Sequence, residues 1–236
     1  MCEASPKKRR RFGDDIIALK VGKDDHVETF GIHAALLEER GGFFEAALNK
    51  QWKEGRERKI ELPDDDAETV AIYVEWLHTK HMRPHTEKER DQWDSDDVEK
   101  EYEQLARLYI FGEKVHDDEI CNRCIDAILN SMDLEVPASG DTGDSVDFSF
   151  YYPSHGVVKT IFQNTHATSP IRRLCVDIYS LFSEDMWFEV GGEGSKDVDH
   201  LLECPDFLLA LVKQNVARRD NPKVGESWFK SGQYYK

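Results

Sequence analysis

Ile16-Ile17-Ala18-Leu19-Lys20-Val21, Gly22-Lys23-Asp24-Asp25 and Val27-Glu28-Thr29-Phe30 form the stretch on which the fold turns. The first run is β-rich, the tetrad supplies turn formers, and the last run resumes the alternation, which predicts a pair of strands. Two short helical segments are expected next. Ile32, Leu36 and Leu37 mark one, Gly41-Gly42 breaks it, and Phe44, Ala47 and Leu48 share a face of the second. Lys59-Ile60-Glu61-Leu62 alternates polar and apolar, then stops at Pro63, and reads as a third strand.

Beyond Pro63 lies the clearest helix start. Asp65 and Glu68 stand three apart like a capping box, near the positive end of the helix dipole, and Val70, Tyr73, Val74 and Leu77 keep helical spacing. Residues 83–100 are highly charged and contain Pro84, which predicts an exposed insertion. Two helices are expected after it. Tyr102, Leu105, Ala106, Tyr109 and Ile110 form one stripe, and Ile120, Cys121, Cys124, Ile125, Ile128 and Leu129 the other, with Asp117 or Asp118 at its cap. Pro137, Gly140, Gly143 and several acids mark residues 134–149 as a linker. The remainder recovers a core-forming pattern at Val157, Val158, Ile161 and Phe162, then at Ile171, Leu174, Cys175, Ile178, Leu181 and Phe182. Gly191-Gly192 and Gly194 interrupt before Phe207, Leu208, Leu211 and Val212 give a third helix. The chain therefore reads as α+β, without an internal repeat: a basic arm over 1–13, a mixed domain over 14–133, the linker, and a helical extension over 150–236.

The 236 residues carry 47 acidic and 31 basic side chains, a formal charge of −16. Nucleic-acid affinity comes largely from cations displacing counterions, so no nucleic acid is expected as a partner. No stretch approaches the roughly 20 apolar residues of a spanning helix, and no membrane association is expected. The run Lys7-Lys8-Arg9-Arg10-Arg11 has no long apolar segment behind it, as an export signal would require. It reads either as a nuclear-import patch or as a solvated arm, which places the protein in the nucleus or the cytoplasm. Five cysteines (Cys2, Cys121, Cys124, Cys175 and Cys204) are too few and too irregular for a disulfide scaffold, as suits a reducing compartment.

The order strand, strand, helix pair, strand, helix, insertion, helix pair resembles the BTB/POZ fold, a three-stranded sheet with helical hairpins. Phe30-Gly31-Ile32-His33-Ala34-Ala35-Leu36-Leu37 is similar to the family's Phe-x-x-His-x-x-x-Leu signature, and Phe43-Phe44-Glu45-Ala46-Ala47-Leu48 to its second helix. Ile60-Glu61-Leu62-Pro63-Asp64 resembles its third strand and acidic turn. Glu75-Trp76-Leu77-His78-Thr79 stands where a hydrophobic-Tyr-Thr ending is usual, with His78 in the Tyr position. The likeness spans about residues 14–133 and singles out Phe30, His33, Leu37 and Phe44 as the fold signature. The extension, with Tyr152-Pro153-Ser154 and Arg172-Arg173-Leu174, is similar to extensions in fungal BTB-domain proteins. His33, among Phe30, Ile32 and Leu36, is read as a half-buried hydrogen-bonding group rather than a catalytic one.

Gln51-Trp52-Lys53-Glu54 is the sharpest functional segment, a tryptophan in a polar stretch. On residues alone, Trp52 either covers the end of the core or serves as an aromatic anchor flanked by charge. The resemblance adds a role. BTB adaptors that bind cullin scaffolds of ubiquitin ligases often carry hydrophobic-x-Glu here, so Trp52 would fill an apolar groove on the cullin and Glu54 would make a polar contact beside it. Transcription-factor BTB domains instead pair an Asp on the first strand with a basic residue after the signature His. Asp15 can stand for the acid, but the basic position is Ala34, which counts against a corepressor groove.

No metal or cofactor is expected. Cys121-x-x-Cys124 has ligand-like spacing but lies on the apolar stripe of a helix, without the further soft or imidazole ligands of structural zinc. His78, His81 and His85 stand at a helix end beside Pro84. Gly191-Gly192-Glu193-Gly194 lacks the Lys-Ser/Thr ending of a phosphate loop, and there is no G-x-S-x-G elbow. The expected function is protein–protein interaction, not catalysis. The chain reads as a substrate-recruiting adaptor of a cullin-type ubiquitin ligase, with a self-associating nuclear scaffold as the alternative. Pairing through the first helix would make a homodimer, although Glu38, Glu39 and Arg40 make that face polar.

Overall fold

The computed structural model describes residues 15–24, 26–40, 42–82, 92–132, 136–137, 148–149, 152–183, 185–188, 195–220 and 231–236. The basic run at 7–11, His85, the glycines at 191–194 and most of the 134–149 stretch lie outside these residues. The protein is α+β, mostly helical, with a small three-stranded sheet. No described helix is long and apolar enough to cross a membrane.

Alternation along β1 (Ile16–Val21) directs Ile17, Leu19 and Val21 to one face, and all three are fully buried. β1 pairs antiparallel with β2 (Glu28–His33) and parallel with β3 (Lys59–Leu62), so it lies in the middle of the sheet. Gly22 closes the β1–β2 turn at φ +93°, where a Cβ would meet the His26 carbonyl oxygen at 2.2 Å. β2 runs three residues past Phe30 because Ile32 pairs opposite Ile17 and is itself fully buried.

Three short helices connect β2 to β3: α1 (Ala34–Glu38), α2 (Gly42–Leu48) and α3 (Lys53–Glu57). The third was not expected, since its five residues contain no apolar side chain from which to read a period. α4 (Ala67–Thr79) follows β3, and its cap is Asp66, not Asp65. Asp66 accepts from both the amide (2.8 Å) and the hydroxyl (2.7 Å) of Thr69, two donors that Asp65 with Glu68 does not offer. Asp65 instead pairs with Lys114 at 2.6 Å.

The described chain groups into two compact units. The first comprises Met1–Met82 and Lys114–Asp117. Its core adds Leu37, Phe44, Tyr73 and Trp76 to the buried face of β1. Phe44 stacks on Tyr73 with ring centroids 6.1 Å apart, and the Trp76 ring is flanked by Arg40 at 5.3 Å and Lys80 at 4.2 Å. Tyr73 is fully buried, and its hydroxyl donates to Asp117 at 2.8 Å.

The second unit comprises Arg83–Glu113 and Asp118–Lys236. Its helices are α5 (Ser95–Val115, of which the last two residues belong to the first unit), α6 (Asp118–Met132), α7 (His155–Asn164), α8 (Pro170–Phe182), α9 (Ser195–Leu202) and α10 (Pro205–Asp220). α5 begins inside the run read as an exposed insertion. Asp94 accepts from the amides of Asp96 and Asp97, and Asp97 accepts in return from the amide of Asp94. Trp93 and Val98 are buried there, so in the described part of the run, residues 92–100, the charge density marks a capped helix start. Val136–Pro137 and Phe148–Ser149, within the expected linker, pair antiparallel.

Replacing Tyr73 with Phe keeps the aromatic stack and removes only the donor to Asp117. Urea denaturation should show a loss of about 1.5–3 kcal/mol, the range for a buried hydrogen bond to a charged group. A loss below 0.5 kcal/mol, as at ordinary surface sites, would mean that the bond contributes little.

Candidate functional site

The segment between α2 and β3 places a tryptophan in solvent. α2 ends at Leu48, and the Asn49 side chain accepts from the Gln51 amide at 2.9 Å while its carbonyl accepts from the Trp52 amide at 2.9 Å. Trp52, in extended conformation, then caps α3, and its carbonyl accepts from Arg56 at 3.2 Å. α3 stops at Arg58, which turns left-handed at φ 53° and delivers the chain into β3. Trp52 is 62% exposed, so it does not cover the end of the core. Glu54 is exposed beside it in the first turn of α3.

Between α2, α3 and β3 runs an open groove of 370 Å³. Its apolar lining comes from Phe43, Ala46, Ala47 and Ile60, and Trp52 stands on the rim with Glu54. Charge on the other rim is largely self-compensated. Lys59 pairs with Glu61, and that hydrogen bond raises the Lys59 ammonium and holds the Glu61 carboxyl below their ordinary values. Lys53 lies one helical turn from Glu57 at 4.0 Å. The arrangement suits a partner that offers an apolar surface to an indole and a donor to Glu54.

Sequence reasoning overlooked Gly55, which sets this geometry. It is buried in α3, and a Cβ there would lie 2.3 Å from the Asn49 carbonyl oxygen and 2.7 Å from that of Leu48. Only a residue without a side chain lets α3 press onto the end of α2 and turn Trp52 outward. The sole signal was a glycine in a polar run directly after the tryptophan.

Asp15 also finds an unforeseen partner. Its carboxylate pairs with the guanidinium of Arg58, with Nε donating at 2.9 Å, while its carbonyl accepts from the Ala34 amide at 2.9 Å. Of the other singled-out residues, Leu37 and Phe44 are fully buried, and Phe30 and His33 are half-buried. His33 occupies the N-cap of α1 with its ring 6.4 Å from that of His78. Cys121 and Cys124 are fully buried on α6, and His78 and His81 are exposed. Among the described residues, no three His, Cys, Asp or Glu side chains gather to hold a metal. No protein-family model matches this chain, and comparison with curated proteins finds no match.

Gly55→Ala should destabilise the protein by about 1–3 kcal/mol in urea denaturation, the cost of forcing a methyl into filled space. It should also speed amide exchange across residues 52–57. Wild-type exchange there would show that α3 tolerates the methyl without shifting.

Proposed function

We propose that residues 14–133 form a BTB/POZ-type docking domain and that the protein is a substrate-recruiting adaptor of a cullin-type ubiquitin ligase. The observation that carries this reading is Trp52, 62% exposed beside a groove whose lining mixes Phe43, Ala46, Ala47 and Ile60 with charged side chains, and with Glu54 two residues on. An exposed indole carried on a short helix is costly to leave in water unless a partner covers it, and aromatic anchors of this kind dominate interface energetics. The element order and the sheet order β2-β1-β3 support the assignment of the fold family. In this proposal Trp52 enters an apolar pocket of the cullin and Glu54 accepts a hydrogen bond beside it. The helical extension over 150–236 selects the cargo.

Binding to a purified cullin N-terminal domain tests this. Trp52→Ala should weaken binding by about 30-fold or more, the effect of losing a hot spot of about 2 kcal/mol. Its unfolding free energy should change by no more than about 0.5 kcal/mol, as at an exposed position. Unchanged affinity in the variant, or no binding by the wild-type chain, would sink the proposal.

A further inference from the structure

In the second unit, three consecutive residues at 234–236 are held almost wholly through side chains. Tyr234, at the end of the single turn Ser231–Tyr234, is fully buried. Its hydroxyl donates to Asp177 at 2.9 Å, and its ring lies 5.1 Å from the Arg173 guanidinium. Tyr235 donates its hydroxyl to Asp126. Lys236 places its Nζ 2.9 Å from Glu113 and 5.8 Å from the centroid of the Tyr109 ring, and its amide donates to Asn122 at 2.9 Å. The acceptors come from α5, α6 and α8, and each reads a different feature: a buried phenol, a surface phenol, an ammonium and one amide.

The electrostatics agree with the geometry. Burial and the neighbouring Asp177 carboxylate push the Tyr234 hydroxyl well above the ordinary phenol range, so it remains a donor at physiological pH. Burial works against ionised Glu113, yet hydrogen bonds from Lys236 and Ser169 hold its carboxyl below the usual value. Asp177 also accepts from Gln214 at 2.7 Å and faces Arg218 at 3.6 Å, so the carboxylate that receives Tyr234 is fixed in place by α10. A buried acceptor deprived of its donor carries a desolvation cost, which favours keeping the socket filled.

We infer that the face made by Asp177, Arg173, Asp126, Asn122, Glu113 and Tyr109 is a peptide socket that reads a Tyr-Tyr-Lys sequence, occupied by the chain's own Ser231–Lys236. Recognition rests on side-chain partners rather than a backbone ladder, so it is sequence-selective, and the segment can be replaced by another copy of the same sequence.

The test uses the full chain carrying Tyr234→Ala and Tyr235→Ala, titrated with a Ser-Gly-Gln-Tyr-Tyr-Lys peptide that carries fluorescein on its N-terminal amine, and read by anisotropy. The variant should bind at least about tenfold more tightly than the wild-type chain, whose own segment competes. A peptide with both tyrosines changed to alanine should not bind. Equal affinity for the two chains, or no binding to a folded variant, overturns the inference. Hydrogen exchange on the wild-type chain decides the matter should the variant fail to fold. The Lys236 amide should exchange at least about tenfold more slowly than in the free peptide, and an equal rate also overturns it. Light scattering over a dilution series assigns the occupant. A monomer throughout supports occupancy within one chain, whereas a dimer lost in the variant gives the socket to a second copy and overturns self-occupancy.

Discussion

The parallel pairing of β1 with β3 is the constraint from which the rest of the first unit follows. A hairpin cannot join parallel strands, since the chain must return to the end from which it started. Here β2 makes that return, since its last residue, His33, pairs with Ile16 at the start of β1. Residues 34–58 then cross from one side of β1 to the other, where Lys59 pairs with Ala18, and they must also cover the buried face of β1 at Ile17, Leu19 and Val21. Two apolar helices, α1 and α2, supply Leu37 and Phe44 to the cover. The few residues left before β3 then have to reverse direction at the sheet edge, where they form α3 and bring Trp52 to the surface. The exposed indole is a by-product of how the crossover closes, in a place the topology would otherwise fill with polar chain.

Asp15 ties the two ends of that crossover together: its carbonyl accepts from the Ala34 amide at the start, and its carboxylate pairs with Arg58 at the end. Arg58 reaches Asp15 through its side chain, and its carbonyl accepts from the Ala18 amide at 3.0 Å, so one residue fixes the entry of β3 against β1 twice. The pair is partly exposed, and its ionic component contributes little by itself. Its value lies in register: a slip of one residue in β3 would turn Ile60 and Leu62, each 2% exposed, out of the core. The family resemblance put the basic partner of Asp15 at position 34, which is alanine here, because a local motif cannot see a cation 43 residues away.

Much of the fold was readable from period alone. Alternation gave β1 and β3 to the residue, and the apolar stripes of α4, α6, α7 and α8 stood clear of their surroundings. What escaped was short or polar. α3 carries no apolar side chain, α9 opens beside a glycine cluster, and the start of α5 announces itself only by carboxylates that serve as caps. The candidate site divides in the same way. Trp52 and Glu54 were visible as chemistry, whereas Gly55 matters through an absence of atoms that shows only when the carbonyls of Leu48 and Asn49 are placed around it. The socket for Tyr234 was invisible because its acceptors are spread from Glu113 to Asp177.

Magnitudes bear on how far a single indole can carry an interface. A buried tryptophan covers about 150–250 Å², worth roughly 4–6 kcal/mol at 25 cal/mol per Å². Trp52 is already partly covered, with 62% exposed, so docking gains about 2–4 kcal/mol from it on the same scale. Association costs about 4–15 kcal/mol in lost translational and rotational freedom, so the indole does not hold a partner alone. The groove adds little apolar area, because Ile60 is nearly buried beforehand and Lys59 with Glu61 is already paired. A stable complex requires about 800 Å² from each side. Any partner of Trp52 must therefore reach well beyond α3, and the indole acts as the centre of a larger footprint in which surrounding contacts exclude water from it.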